Sequence, residues 1–335
     1  MAIPRRTSTT LGAVLTLGIV LLLAGCGSDQ MTTATGDDRS LAQAEQRATQ
    51  KEAEAQRLRE QLHGLQAEQE EPVATTPPAR AGTDGAGGTI LPAAAYASFN
   101  SLANSLSGDV GIAVSPVGTG QPVERVGSLQ SAIAWSTSKV PVAMAAIDAD
   151  VGTDQDLRAA ITASDNGAAM NLWNALGGGS AAAEAADEEL RAAGDTTTTI
   201  EPRTLRDGFT PFGQTRWALG DQVRFTAGMV CLDAGGQLLG LMHETIPAQR
   251  WGLGSAGVPA ELKGGWGPGS QPGADGGYLD RQMGVMTIHG RPLAVTLAAR
   301  PTDGSHESGT AMLTRLAQWV VANANVRGLP KLARC

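Results

Sequence analysis

The sequence has no cluster of basic residues, and its net charge is -8. Without a positive patch there is no electrostatic footprint for a phosphate backbone, so nucleic-acid binding is excluded as the main activity. Histidine is scarce. His63, His243, His289 and His306 are scattered, show no metal-ligand spacing and form no Ser-His-Asp pattern. Nothing calls for a metal or any other cofactor. Cysteine is equally sparse: beyond Cys26 only Cys231 and Cys335 remain. They are expected as a buried thiol and a free terminal one, with a disulfide as the alternative in an oxidising compartment. Long apolar runs are missing after the first few dozen residues, so nothing later in the chain reads as a membrane span.

The one apolar run lies at the start. Arg5 and Arg6 precede the apolar residues 11–23, and Leu23-Ala24-Gly25-Cys26 follows. A charged start, a short apolar core and small residues before the cut describe an export signal over residues 1–25. The run is short for a span, which favours a cleaved leader over an uncleaved anchor. The cysteine at its end resembles a bacterial lipobox, in which Cys26 becomes an acylated first residue. That resemblance implies a protein held by its lipid at the outer face of the bacterial cytoplasmic membrane, within the cell envelope.

Residues 26–71 read as an N-terminal tether and helical stalk. Leu41, Ala44, Ala48, Lys51, Ala55, Leu58, Leu62 and Leu65 follow a heptad-like 3-4 spacing. A stiff spacer is preferred to self-association through 41–65, because the alanines and Lys51 make a weak seam. Residues 72–89, with Pro77-Pro78 and several glycines, read as a linker. The remaining stretch, 90–335, has the size of one domain. It shows a helix over 97–106, strands over 110–114 and 123–126, and helices over 136–149, 166–176, 181–193 and 221–232. Strands over 282–289 and 293–299, turning through Gly290 and Arg291, and a last helix over 307–324 complete it. This order predicts an α/β protein of the α+β type, an antiparallel sheet flanked by helices.

Three short signatures carry the chemistry: Ser136-Thr137-Ser138-Lys139, Ser164-Asp165-Asn166 and Lys263-Gly264-Gly265. A serine hydroxyl is a weak nucleophile and needs a base. Residues three apart share a helix face, which sets Lys139 beside Ser136, where an amine of depressed pKa accepts its proton. Pro141 suits a first helical turn, and the apolar residues after it suit a buried helix. Ser-Asp-Asn is equally at home as a helix cap.

Together the signatures resemble the S-x-x-K, S-D-N and K-T-G elements of serine β-lactamases and penicillin-binding proteins, in the same order. The resemblance covers roughly residues 93–325 and implies the β-lactamase/transpeptidase-like sheet. It implies that Ser136 is the nucleophile, with its own amide as one oxyanion donor, and that Lys139 assists. It gives Ser164 a proton relay to the leaving nitrogen and Asn166 hydrogen bonds to Lys139 and to substrate. Asp165 would brace the loop, while Lys263, Gly265 and Trp266 would line the substrate side. The implied ligand is a β-lactam or a peptidoglycan stem peptide, attacked at a β-lactam or D-alanyl amide carbonyl.

There are departures. Gly264 stands where the family has a hydroxyl, and Trp266 stands where a small residue is usual, so its indole is expected to crowd the cleft. Glu201-Pro202 resembles the class A pair that activates the deacylating water. The register set by Gly194-Asp195 instead puts Thr204 at that place, and no asparagine follows. Glu201 is therefore read as a structural or salt-bridging residue in preference to a deacylation base, and acyl-enzyme release is expected to be slow. Only 27 residues lie between Ser136 and Ser164, which predicts a reduced helical subdomain. The alternative function is a catalytically degenerate domain of the same fold that binds or scaffolds the envelope.

Overall fold

The computed structural model describes residues 89–269 and 277–335. The leader, Cys26, the stalk with its 41–65 seam and the linker through residue 88 lie outside the described residues. Packing begins at Ile90 and Leu91, both fully buried. Their N–H groups donate to the two carboxylate oxygens of Glu124, each at 2.7 Å.

The elements run α1 (Ala93–Asn104), β1 (Gly108–Pro116), β2 (Glu124–Gly127), β3 (Ser131–Ile133), α2 (Lys139–Asp148), α3 (Asp154–Thr162), α4 (Asn166–Ala175) and α5 (Gly179–Ala192). They continue with β4 (Arg216–Ala218), α6 (Leu219–Met229), α7 (Asp233–His243), β5 (Ala260–Pro268), β6 (Tyr278–Ile288), β7 (Arg291–Pro301) and α8 (His306–Asn323). Among the described residues, then, eight helices flank an antiparallel sheet of five strands ordered β2-β1-β7-β6-β5, while β3 and β4 pair separately. The expected α+β arrangement is the one observed.

Strand periodicity sorts the core. Val110, Ile112 and Val114 on β1, with Leu293, Val295, Leu297 and Ala299 on β7, pack against Phe99 of α1 and against Leu313, Leu316 and Trp319 of α8. The alternate positions Ala113, Ala294 and Ala298 face Leu219, Val223 and Ala227 of α6. Small residues on that face let α6 lie close. A side chain at Gly111 would strike Leu129 O and Leu219. The third cluster is all-helical, with α2 at its centre. Val140, Val142 and Met144 meet Leu157, Ile161, Leu172, Trp173 and Leu190. Lys139 to Ala146 are all buried, as expected of a helix apolar on every side.

Several sequence expectations are corrected. The helix expected over 136–149 opens as a 3-10 turn, Trp135–Ser138, before α2 begins. The helix expected over 221–232 ends at Met229, and α7 follows at an angle. Helix α3, capped by Thr153 whose Oγ1 accepts from Asp156 N, was not expected. It alone stands between α2 and Ser164. Cys231 and Cys335 form a disulfide, with Cα atoms 5.3 Å apart, so the reading as two free thiols is overturned. Cys231 lies in the turn after α6, and the chain end returns to it. Thr119 N donates to Arg334 O and Arg334 N to Val117 O. Among the described residues no single helix is long and apolar enough to cross a membrane.

Candidate active site

The 3-10 turn Trp135–Ser138 lies against edge strand β5 because two glycines leave room for it. A Cβ on Gly265 would stand 2.8 Å from Ala134 O, 2.8 Å from Ser136 N and 2.9 Å from Thr137 N. One on Gly267 would enter the Trp135 ring at 2.5 Å. Within the turn Thr137 and Ser138 are buried and Ser136 is partly exposed. Trp135 has φ +48°, a left-handed conformation that costs a non-glycine residue about 1–3 kcal/mol. Buried polar groups fix the turn from behind. Gln222 Nε2 donates to Thr137 Oγ1 at 2.9 Å, and the fully buried Arg281 donates to Gln222 Oε1, Ala132 O and Ile133 O. Burial lowers the Arg281 guanidinium to about 9.

Ser164 sits at the tip between α3 and α4, itself at φ +60°. Asp165 caps α4, its Oδ1 accepting from Ala168 N at 2.7 Å. Lys139 is buried at the start of α2 and reaches this tip. Its Nζ donates to Ser164 O at 2.5 Å and to Asn166 Oδ1 at 2.8 Å, and lies 3.3 Å from Ser164 Oγ. Lys263, fully buried on β5, donates from Nζ to Ser164 Oγ and to Gly264 O, both at 2.8 Å. Burial brings the Lys139 ammonium down to about 7, opposed by the charge of Asp165. Lys263 is also held well below the ordinary range, by burial first and by the neighbouring Lys139 charge second.

Lys139, Ser164, Asn166 and Lys263 thus form one hydrogen-bonded group. Ser136 Oγ makes no hydrogen bond among the described residues. It stands three positions before Lys139, on the same face of the turn that opens α2. The backbone nitrogens of Ser136 and Thr137 lie close to Gly265 of β5, and the Thr137 N–H donates to Ala134 O at 3.2 Å.

Glu201 is not part of this group. Its Oε1 accepts from Arg203 N and Arg203 Nε, both at 3.0 Å, and its own N–H donates to Thr215 Oγ1. Thr204 is exposed. Asp195 is fully buried and anchors the loop by accepting from Thr197 N, Thr198 N and Trp217 Nε1. Trp266 corrects another expectation. Strand alternation sends Lys263, Gly265 and Gly267 toward the Ser136 turn, but Gly264 and Trp266 to the opposite face of the sheet. There the Trp266 indole stacks on His306, with centroids 5.2 Å apart, and meets Trp251 edge-on. It does not crowd Ser136.

Trp251 is the residue that sequence reasoning missed. A Cβ on Gly264 would lie 2.9 Å from its Cη2 and 3.0 Å from its Cζ2. The ring therefore fills the space into which a hydroxylated residue at 264 would project. The only trace in the sequence is the glycine itself. Among the described residues no group of three or more His, Cys, Asp or Glu is placed to hold a metal ion.

No protein-family model and no curated protein matches the chain. Solved class A β-lactamases share its fold. The enzyme from Bacteroides cellulosilyticus superposes with a TM-score of 0.56 at 15% identity, covering 68% of this chain and 96% of that one. A class A β-lactamase from Mycobacterium abscessus gives 0.52 at 16% identity, over 68% and 98% of the two chains. An ancestral class A β-lactamase gives 0.51 at 20% identity, over 68% and 99%. The likeness is one of fold.

Proposed function

We propose that this protein is a serine acyl-transfer enzyme of β-lactamase type, working through an acyl-enzyme on Ser136. The observation that carries the reading is the convergence of Lys139 and Lys263 on the Ser164 hydroxyl, one helix start away from Ser136. An amine poised near neutrality is matched to general-base work. With two N–H bonds to Ser164 O and Asn166 Oδ1, neutral Lys139 keeps a lone pair for the Ser136 proton. Ser136 Oγ then bonds to the carbonyl carbon of a β-lactam or D-alanyl amide, the developing oxyanion accepts from the Ser136 N–H, and the C–N bond breaks. Ser164 Oγ hands a proton to the departing nitrogen and recovers one from Lys139 or Lys263. Release of the acyl group needs an activated water. Glu201 is engaged with Arg203, which supports slow deacylation and behaviour as a penicillin binder.

The test is labelling with a fluorescent penicillin, followed by denaturing electrophoresis. Wild type is expected to carry the label and Ser136→Ala to lose it. Absence of label on folded wild type overturns the reading.

The leader and Cys26 extend the proposal to a protein lipid-anchored at the outer face of the bacterial cytoplasmic membrane, within the cell envelope, and a disulfide suits an oxidising compartment. Metabolic labelling with an alkyne fatty acid is expected to be lost in Cys26→Ala. A second reading, an inert envelope-binding module, draws on Trp251 beneath Gly264. If Ser136→Ala removes the cellular phenotype as fully as deletion does, that second reading fails.

A further inference from the structure

On the sheet face packed by α8, at the end nearest the cleft, four aromatic rings gather that no step of acyl transfer uses. Trp266 of β5 stacks on His306 at the start of α8, with 30° between the planes. Trp251 stands nearly perpendicular to both, at 78° to Trp266 and 87° to His306. Tyr278 of β6 lies 5.7 Å from His306, centroid to centroid. All four are half-buried. The result is a corner with two aromatic walls.

Two fully buried polar residues of β6, paired opposite Trp266 and Gly264, hold those walls. Gln282 Nε2 donates to Trp251 O at 2.8 Å while its Oε1 accepts from Leu253 N at 2.7 Å. Asp280 Oδ1 lies 2.5 Å from His306 Nδ1, and its Oδ2 is buried with no partner among the described residues. Gly252, at φ +60°, makes the turn beside Trp251. A Cβ there would come within 2.1 Å of Gln282 Oε1. Burying an amide and a carboxylate is costly. Here the carboxylate holds the His306 ring and the amide holds the backbone that carries Trp251, as a preorganised binding surface requires.

The chemistry of the corner selects its occupant. Aromatic faces favour an apolar C–H surface. The imidazole, with Nδ1 turned to Asp280, keeps Nε2 for a hydroxyl, and the Asp280 carboxylate is buried against that imidazole. A neutral ligand with C–H faces and hydroxyl edges satisfies these conditions together. We propose that the corner is a saccharide-binding subsite, in which the Trp266 indole packs on the C–H face of a β-linked gluco-configured pyranose, Trp251 closes the edge of that sugar and His306 hydrogen-bonds one of its hydroxyls. It goes beyond acyl transfer and stands or falls without it.

The test is titration of the exported full-length chain with cellotetraose and with tetra-N-acetylchitotetraose, read by tryptophan fluorescence and calorimetry, with sorbitol as control. At least one sugar is expected to bind saturably. Trp266→Ala should weaken that binding about tenfold. His306→Phe, which retains a ring but loses the hydrogen bond, should weaken it about threefold to tenfold. Near-UV circular dichroism checks that each variant is folded. No saturable response to either sugar overturns the proposal, as does a response undiminished in both variants. Saturable binding of an apolar tetrapeptide with no sugar response also overturns it and assigns the corner to peptide. Because no arm involves a penicillin, failure here is separable from failure of the acyl-transfer reading.

Discussion

Lys263 Nζ donates a 2.8 Å hydrogen bond to Ser164 Oγ, the hydroxyl that Lys139 Nζ approaches from the other side at 3.3 Å. Two buried amines beside one hydroxyl cannot both hold a proton cheaply in a site of low dielectric. One therefore stays neutral near physiological pH, and that shapes the first prediction.

Acylation requires neutral Lys139, whose ammonium is brought down to about 7 by burial. Below that value the amine is protonated and cannot take the Ser136 proton; above it the lone pair is free. The rate of penicillin labelling is expected to rise as pH increases from about 6 to 8 and then level off. Lys139→Ala should slow it by about 10²–10⁴-fold. Stopped-flow fluorescence over that range checks both. A rate that falls with rising pH contradicts this assignment of the base.

Gly264 and Trp251 should behave as a coupled pair, since the indole lies 2.9 Å from the place of a Cβ at 264. Gly264→Ser alone is expected to cost about 1–3 kcal/mol by overpacking. In Trp251→Ala the same serine should be tolerated, giving a coupling energy of about 1 kcal/mol or more in a double-mutant cycle. Urea denaturation of the four proteins measures it, and additive losses would refute the contact.

At the far end of α2, burial and the adjacent Asp148 carboxyl raise Glu189 of α5 to about 7. A group whose folded pKa exceeds its unfolded value, 4.5, stabilises below the lower figure, and that contribution is lost as pH rises through the higher one. Wild-type stability should therefore contain a component that declines between about pH 4.5 and 7, absent from Glu189→Gln. Thermal melts of both proteins across that window provide the comparison. Parallel curves would show that the pair does not titrate there.

Much of the architecture was legible because it rests on local pattern. The apolar alternation of β7, the Asp165 cap of α4 and the periodic apolar face of α8 each announce themselves within a few residues. Helix α3 escaped because its first half, Asp154-Gln155-Asp156, is polar, and α7 because Gly235, Gly236 and Gly240 give it a weak helix propensity. The site was legible as residue types but not as geometry. Strand alternation from Lys263 already dictates that Trp266 points away, yet the partners that receive it, Trp251 and His306, come from distant segments. The Lys263 bond to Ser164 depends on β5 meeting the α3–α4 tip, a tertiary fact without a local signature.

The Cys231–Cys335 disulfide belongs to the same class, spanning 104 positions. Closing so long a loop restricts the unfolded chain, and its loss should cost roughly 2–4 kcal/mol. For a domain of this size that corresponds to a melting temperature about 5–15 °C lower. Calorimetry of Cys335→Ser beside wild type reads the difference, and an unchanged melting temperature would show that the tail contributes nothing to the fold.

The most direct test of the central claim is peptide mapping by mass spectrometry after the intact chain has been incubated with benzylpenicillin at pH 8. The account predicts one penicilloyl group, on Ser136. An unmodified chain, or an adduct on Ser164 between its two lysines, would contradict it.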